Sequence, residues 1–262
     1  MTAAWRSAPG GSRPAGLVRK LLVQFWAVLL LILAWHVWVT VSALNTIVMP
    51  GPIDVLRDIV QSPGIYLDSA SRTLLLAAAG LVVGMALGTA LAILTWLSRL
   101  LAGLLTPLSL VFASVPVVAI IPVLARIFGY DVRTVFVIVV IISFFPAFVF
   151  TGAGLRALPA GADDLFRVLG ASRRSRLLLL AIPSALPDWS VALRLAAANG
   201  ILAAMVAEFL MGTSGLGYLF HSARTDLDMS RALGASVIAM VISVTSFLLA
   251  TRAEQAIRLR WR

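Results

Sequence analysis

The chain has no cysteine, so disulfides, iron–sulfur clusters and thiol catalysis are excluded. Histidine occurs only twice, at His36 and His221, too far apart in sequence to suggest a histidine-rich metal site. Charge is scarce as well. Only 12% of the 262 residues are Asp, Glu, Lys or Arg, where a soluble domain carries roughly a quarter. No Gly-x-x-x-x-Gly-Lys-Ser/Thr loop occurs, so the phosphate cradle of a P-loop ATPase is missing. Nor do paired acids or metal-ligand clusters stand in a pattern suited to bond-making chemistry.

What is present is apolar: 61% of residues are hydrophobic and the mean hydropathy is +1.01. A bilayer core about 30 Å thick needs roughly 20 apolar residues in helix, because unsatisfied backbone groups are costly in lipid. The uncharged stretches 73–97, 100–125, 134–155 and 232–251 meet that length, and 21–44 contains only His36 as a titratable group. A sixth span is placed at 192–211, around an uncharged run bounded by Arg194 and Glu208. Alternating β-barrel patterning is absent from these continuous runs, which predicts a helical bundle. The expected spans are therefore about 21–44, 73–97, 104–125, 134–151, 192–211 and 232–251. The run after Arg19 and Lys20 extends to Ile47, longer than the apolar part of a signal peptide, and reads as a retained first span. Gly80, Gly84 and Gly88 share one helical face and permit close packing.

The formal net charge of +10 lies between the apolar runs, so it reports membrane orientation rather than nucleic-acid binding. With both termini cytoplasmic, 15 basic residues fall inside: four before residue 21, Arg99, five from Arg156 to Arg176, Arg194, and four from Arg252 onward. Six fall outside: Arg57, Arg72, Arg126, Arg133, Arg224 and Arg231. The asymmetry supports a cytoplasmic N-terminus (1–20) and C-terminus (252–262). The outer connection 45–70 opens with a Pro-rich turn, and 212–231 begins with Gly212, Gly215 and Gly217.

Between the fourth and fifth spans, Leu158-Pro159-Ala160-Gly161-Ala162-Asp163-Asp164 marks a turn and an acidic helix start, with a short helix ending near Gly170. Arg173, Arg174 and Arg176 give a basic face suited to anionic headgroups. The apolar run 177–182 is followed by Pro183 and Pro187, which are expected to break it into an interfacial or docking helix. A two-helix cytoplasmic feature of this kind, segment 158–187, offers another protein a grip on the bundle.

This segment resembles the signature of the membrane-spanning subunits of binding-protein-dependent ATP-binding-cassette (ABC) importers, in the nitrate, sulfonate and taurine group. That signature is a Glu-Ala-Ala start, a Gly after three residues, then nine residues, Ile, one residue, Leu and Pro. The matching register is Asp164-Leu165-Phe166, Gly170, then Leu180, Ile182 and Pro183, with Gly170-Ala171-Ser172 and Leu186-Pro187 also typical. Asp replaces Glu, and two bulky residues replace the alanines. The group's Gly-Leu-Arg corresponds to Ala192-Leu193-Arg194, and its Leu-Pro-Ser-Pro to Met49-Pro50-Gly51-Pro52. Pro116, Ala119, Pro122 and Gly129, Phe145-Pro146 with Thr151-Gly152, and Glu208 with Gly215-Leu216-Gly217 extend the resemblance over roughly 45–250.

The resemblance implies a six-helix type I ABC importer transmembrane domain, an all-α polytopic fold with a cytoplasmic coupling segment. It implies a cytoplasmic ABC ATPase dimer docking on Asp164, Leu165, Phe166, Gly170, Ala171, Leu180, Ile182 and Pro183, a second permease copy forming a homodimer, and a periplasmic or lipid-anchored solute-binding protein. ATP and Mg then belong to the ATPase; this chain transports a small solute, with a sulfonate, nitrate or related anion as candidates, and binds lipid but no cofactor or nucleic acid. Pro116, Pro122 and Pro146 bend helices and are candidate gates, although each breaks backbone pairing whatever its function. Arg194 and Glu208 stand 14 residues apart, about 21 Å along a helix, and are expected to mark its opposite ends. Arg194 then reads as a cytoplasmic anchor, Glu208 as a gate or an interface residue, and His36 as a helix contact. A stand-alone carrier or a membrane enzyme is the alternative of a different class.

Overall fold

The computed structural model of the chain describes residues 14–113, 116–211 and 214–260. Residues 1–13 of the basic N-terminus, Gly212 and Arg262 lie outside the described residues. The described elements are all helical: α1 (Pro14–Val41), α2 (Pro52–Gln61), α3 (Pro63–Leu97), α4 (Arg99–Ala113), α5 (Val117–Phe128), α6 (Val132–Arg156), α7 (Ala162–Val168), α8 (Arg173–Arg176), a π-helical turn (Leu177–Ala181), α9 (Ile182–Met211), α10 (Gly215–Thr225) and α11 (Met229–Arg260).

Among the described residues, four helices are long and apolar enough to cross a membrane: Pro63–Leu97, Val132–Arg156, Arg173–Met211 and Met229–Arg260. The span expected at 104–125 covers the described helices α4 and α5, with Pro116 capping the start of α5. Residues 114 and 115, between them, lie outside the described residues; at Pro116 itself the missing N–H suits the start of a helix rather than its interior.

The expected break at Pro183 and Pro187 does not occur, because α8, the π turn and α9 run on as one helix. The widened turn Leu177–Ala181 immediately precedes Pro183 and provides the local rearrangement that lets a helix continue past a residue without an N–H. Beyond Pro187, Ser190 Oγ donates to the Pro187 carbonyl at 2.6 Å. The span placed at 192–211 is thus the C-terminal part of a much longer helix, and Arg194 sits well inside it rather than at its end.

Lipid tails are as apolar as leucine, so helices in a bilayer associate through close packing and polar links rather than through the hydrophobic effect. The bundle follows this rule. Alanines 77, 92, 147, 192, 196, 204, 207, 235 and 239 are buried between helices, while leucines such as Leu75, Leu87 and Leu179 face outward. The α3–α6 contact is the tightest, and it runs along the glycine face expected from sequence. A Cβ on Gly80 would sit 2.7 Å from Val139 Cβ, on Gly84 2.5 Å from the Val140 carbonyl oxygen, and on Gly88 2.5 Å from the Phe144 carbonyl oxygen. α6 then packs on α9, where Gly154 faces Ala185, and α9 packs on α11, where Ser243 Oγ donates to the Ala198 carbonyl at 3.1 Å.

The short helix α2 is fastened by charge. Asp58 accepts from Arg231 Nη2 of α11 at 3.1 Å and from the Tyr66 hydroxyl of α3, and Asp228 lies 3.4 Å from Arg231 Nη1.

The glycine face gives a direct test. Gly84→Ala should destabilise the purified chain by roughly 1–3 kcal/mol, since neither a backbone carbonyl nor Ser143 can yield without moving α6. Gly103→Ala on α4, where nothing lies within 4 Å of the added methyl, should leave stability unchanged or slightly improved. Thermal unfolding followed by tryptophan fluorescence in detergent checks both, and equal midpoints for the two variants would sink the packing argument.

Candidate functional site

The segment between α6 and α9 begins where Gly161 takes φ +74° and starts α7. α7 ends in a Schellman turn, with Gly170 N donating to the Arg167 carbonyl at 3.0 Å and Ala171 N to the Phe166 carbonyl at 2.9 Å. Gly170 has φ +70°, a left-handed conformation that a side chain resists, and open space surrounds it. The constraint at this position is therefore backbone geometry and not crowding. Ser172 caps α8 by accepting from Ser175 N at 3.2 Å.

Of the two acids, Asp163 is the one tied into the structure. It accepts from Arg176 Nε at 2.8 Å and pairs with Arg167 Nη2 at 2.9 Å, so it joins α7 to α8. Arg173 reaches back to the bundle, donating to the Trp96 carbonyl at 3.1 Å and lying 5.9 Å over the Trp96 ring, while Trp96 Nε1 donates to the Leu155 carbonyl at 3.0 Å. α7 is thus held at a fixed place beneath α3 and α6. Its outer face is apolar and uncovered: Leu165, Val168 and Leu169 are 57%, 85% and 72% exposed.

The sequence-predicted residues of this segment fall into two groups. Asp164 and Leu165 are exposed on α7, with Phe166 half-buried behind them, and Gly170 and Ala171 form the turn. Leu180, Ile182 and Pro183 lie half-buried in the π turn and the start of α9; Ile182 packs on the cluster of Ala92, Phe148, Leu155, Leu177, Ala181 and Ala185. Sequence reading placed weight on Asp164 and passed over Asp163 and Trp96. The Asp163–Arg167 spacing of four residues was a usable signal; the Trp96 contact, 77 residues from Arg173, had none.

Near the opposite end of the bundle, Glu208 is 2% exposed and fully engaged. Its Oε2 accepts from Thr73 Oγ1 of α3 at 2.8 Å and from Gly217 N of α10 at 3.0 Å, and Thr73 Oγ1 accepts in turn from Leu216 N at 2.9 Å. The carboxylate sits at the first turn of α10, where free N–H groups and the helix dipole favour negative charge. Gly215 has φ +90°, and any side chain there would run into the Glu208 carboxylate. Gly215-Leu216-Gly217 is therefore the complement of Glu208. Thr73, 135 residues away in sequence, was not foreseeable as its partner.

The other pathway or gate candidates do not gather with Glu208. Arg194 forms an ion pair with Glu254 of α11 at 2.9 Å and lies 5.4 Å over the Phe247 ring, and Glu254 also binds Arg258. Pro116 starts α5, Pro122 is exposed within it, and Pro146 lies within α6. None of the five lines the apolar cavity of about 620 Å³ between α3, α6 and α9. That cavity is walled by Met85, Ile93, Leu155, Leu186 and Trp189, with Thr89 and Thr151 as its hydroxyls; Trp189 Nε1 donates to Thr89 Oγ1 at 3.0 Å.

The sequence pattern of the family described as "Binding-protein-dependent transport system inner membrane component" matches residues 80–261. The chain belongs to this family. It is a multi-pass inner-membrane permease subunit that forms part of the translocation pathway of an ABC importer, and it is not an enzyme. The carrier and membrane-enzyme alternatives fall with that finding, and ATP and Mg are the business of a separate ATPase subunit in such systems. The chain is 29% identical over 215 residues to the formylaminopyrimidine transport permease protein ThiX of Halalkalibacterium halodurans, covering 82% of this chain and 86% of that one. It is 26% identical over 260 residues to the putative aliphatic sulfonates transport permease protein SsuC of Bacillus subtilis, covering 98% and 92%. Its fold is similar to that in the crystal structure of an amino acid ABC transporter with histidines, with a TM-score of 0.63 at 16% identity over 78% of this chain and 97% of that one.

Glu208→Gln keeps the size of the side chain and can leave an oxygen in the Oε2 position, but the bonds to Thr73 and Gly217 lose their charge assistance and the first turn of α10 loses its counter-charge. A loss of about 1–3 kcal/mol is expected, with faster hydrogen exchange confined to the first turn of α10. Unchanged exchange at Leu216 and Gly217 would show that the carboxylate does not hold α10.

Proposed function

We propose that α7 and its Schellman turn are the surface on which a cytoplasmic ABC ATPase dimer docks, and that nucleotide-driven motion enters the bundle there. The observation that carries this reading is the exposed apolar face of Leu165, Val168 and Leu169 on a short helix that Asp163, Arg176 and Arg173 fix to the bundle. Apolar side chains left bare on a rigid polar frame mark a protein-binding patch. Asp164 and Phe166 flank the patch, Gly170 and Ala171 set the turn, and Leu180, Ile182 and Pro183 connect it to α9. The coupling segment then spans 158–187.

In this assembly both termini are cytoplasmic, supported by the basic residues of 156–176 and 252–262. Six crossings result if α1 supplies the first and α4 with α5, bent at Pro116, the third. A second copy of the chain completes the pathway, and an external solute-binding protein, periplasmic or lipid-anchored, delivers the substrate. Glu208 acts as the pin of the outer gate and Arg194 as an interhelical tie, while Pro122 and Pro146 allow their helices to bend. The substrate is a small polar solute, with a sulfonate or nitrate-like anion as the candidate class, in keeping with the transport named for SsuC. The 620 Å³ cavity has no charged residue in its wall, so selection between anions falls to the external binding protein.

The test is co-purification of the tagged chain with its ATPase from native membranes. Leu165→Glu should abolish recovery of the ATPase while the permease still inserts and runs as a single species, and Gly170→Val should weaken it by distorting the turn. Full ATPase recovery with both variants would remove α7 as the docking surface.

A further inference from the structure

The ends of α3 and α6, the start of α4, and α7 with α8 border a second cavity, open to one side, polar and about 510 Å³ in volume. Five arginines line it, Arg99, Arg156, Arg167, Arg173 and Arg176, against one acid, Asp163. Five guanidinium groups and one carboxylate leave a formal charge of +4 in one cavity. Asp163 answers only Arg167 and Arg176. Among the described residues, Arg156 finds no more than the Gly152 carbonyl, at 3.1 Å, and Arg173 no more than the Trp96 carbonyl and ring. The Arg99 side chain makes no hydrogen bond or ion pair among the described residues.

Positive charge so concentrated attracts anions. Guanidinium groups converging from several elements match the oxygens of a phosphate, which they grip in bidentate fashion. The cavity also lies where a headgroup can reach it: Leu100 and Leu104, just beyond Arg99, are 74% and 56% exposed along the apolar flank of α4, and Trp96 stands at its edge. Tryptophan and arginine at the margin of an apolar face mark the bilayer interface.

We propose that this cavity binds a phosphate-bearing anion, which ties α7 and α8 to the ends of α3 and α6. The phosphate comes either from the headgroup of an anionic lipid or from a soluble phosphate compound. Occupancy stiffens the junction between the α7–α8 segment and the spanning helices, whatever partner binds α7.

The experiment uses the full chain in nanodiscs of phosphatidylcholine alone or of phosphatidylcholine mixed with phosphatidylglycerol, with inorganic pyrophosphate as the soluble probe. Thermal midpoint and retained lipid by native mass spectrometry are read. At least one probe should raise the midpoint of the unmodified chain. A response to phosphatidylglycerol identifies a lipid site, and a response to pyrophosphate in phosphatidylcholine discs a soluble ligand. Arg99→Gln, which has no side-chain contact to lose, should weaken binding of the active probe about fivefold. Arg156→Gln should weaken it similarly, while Arg174→Gln, which removes a charge just outside the cavity, should not. No response to either probe, or equal weakening by Arg99→Gln and Arg174→Gln, would overturn the proposal.

Discussion

The bundle depends on how closely α3 and α6 approach. In lipid no hydrophobic force draws two helices together, so the gain must come from close packing and polar links, and glycine permits the closest backbone approach. Gly80, Gly84 and Gly88 place α3 directly against the backbone and short side chains of α6. α6 is then the platform for α9, and α9 for α11. Each functional feature is positioned through this stack: α9 carries Glu208 and Arg194 at the heights where Thr73 and Glu254 meet them.

Charges buried in such a bundle are costly unless paired, and their pairing here has a pattern. Glu208 and Glu254 both bridge separate helices, one to α3 and α10, the other to α9. Asp58 does the same for α2, α3 and α11. These contacts fix the relative height and rotation of helices whose apolar surfaces alone would slide past one another. The two ends of the bundle are thereby built differently. The end that carries Glu208 and Asp58 is pinned by acids accepting from backbone, hydroxyl and guanidinium donors, and the α7–α8 end is dominated by arginines with few acids to answer them.

Much of this was legible in the sequence because membrane length and glycine spacing are local signals. The runs at 73–97, 134–151 and 232–251 correspond to α3, α6 and α11, and the Gly80–Gly84–Gly88 face does what its period implies. The short helix ending near Gly170 was readable for the same reason. The continuity of Arg173–Met211 was not, because the rule that proline ends a helix assumes α geometry on its N-terminal side, and a π turn removes that assumption. Thr73 as a partner of Glu208 and Glu254 as the partner of Arg194 were equally hidden, since these contacts join residues far apart in sequence whose types carry no pairing signal.

The π turn at Leu177–Ala181 amounts to one extra residue wound into an otherwise regular helix. Each residue of an α-helix turns the chain by about 100°. The insertion therefore sets the angular phase between the arginines of α8, which face Asp163 and Trp96, and the side chains of α9 that face α3 and α11. Shortening this turn by one residue would leave both ends helical and intact in sequence. It would nevertheless put Glu208 and Arg194 out of step with the α7–α8 segment, so that the helix could satisfy one end or the other but not both.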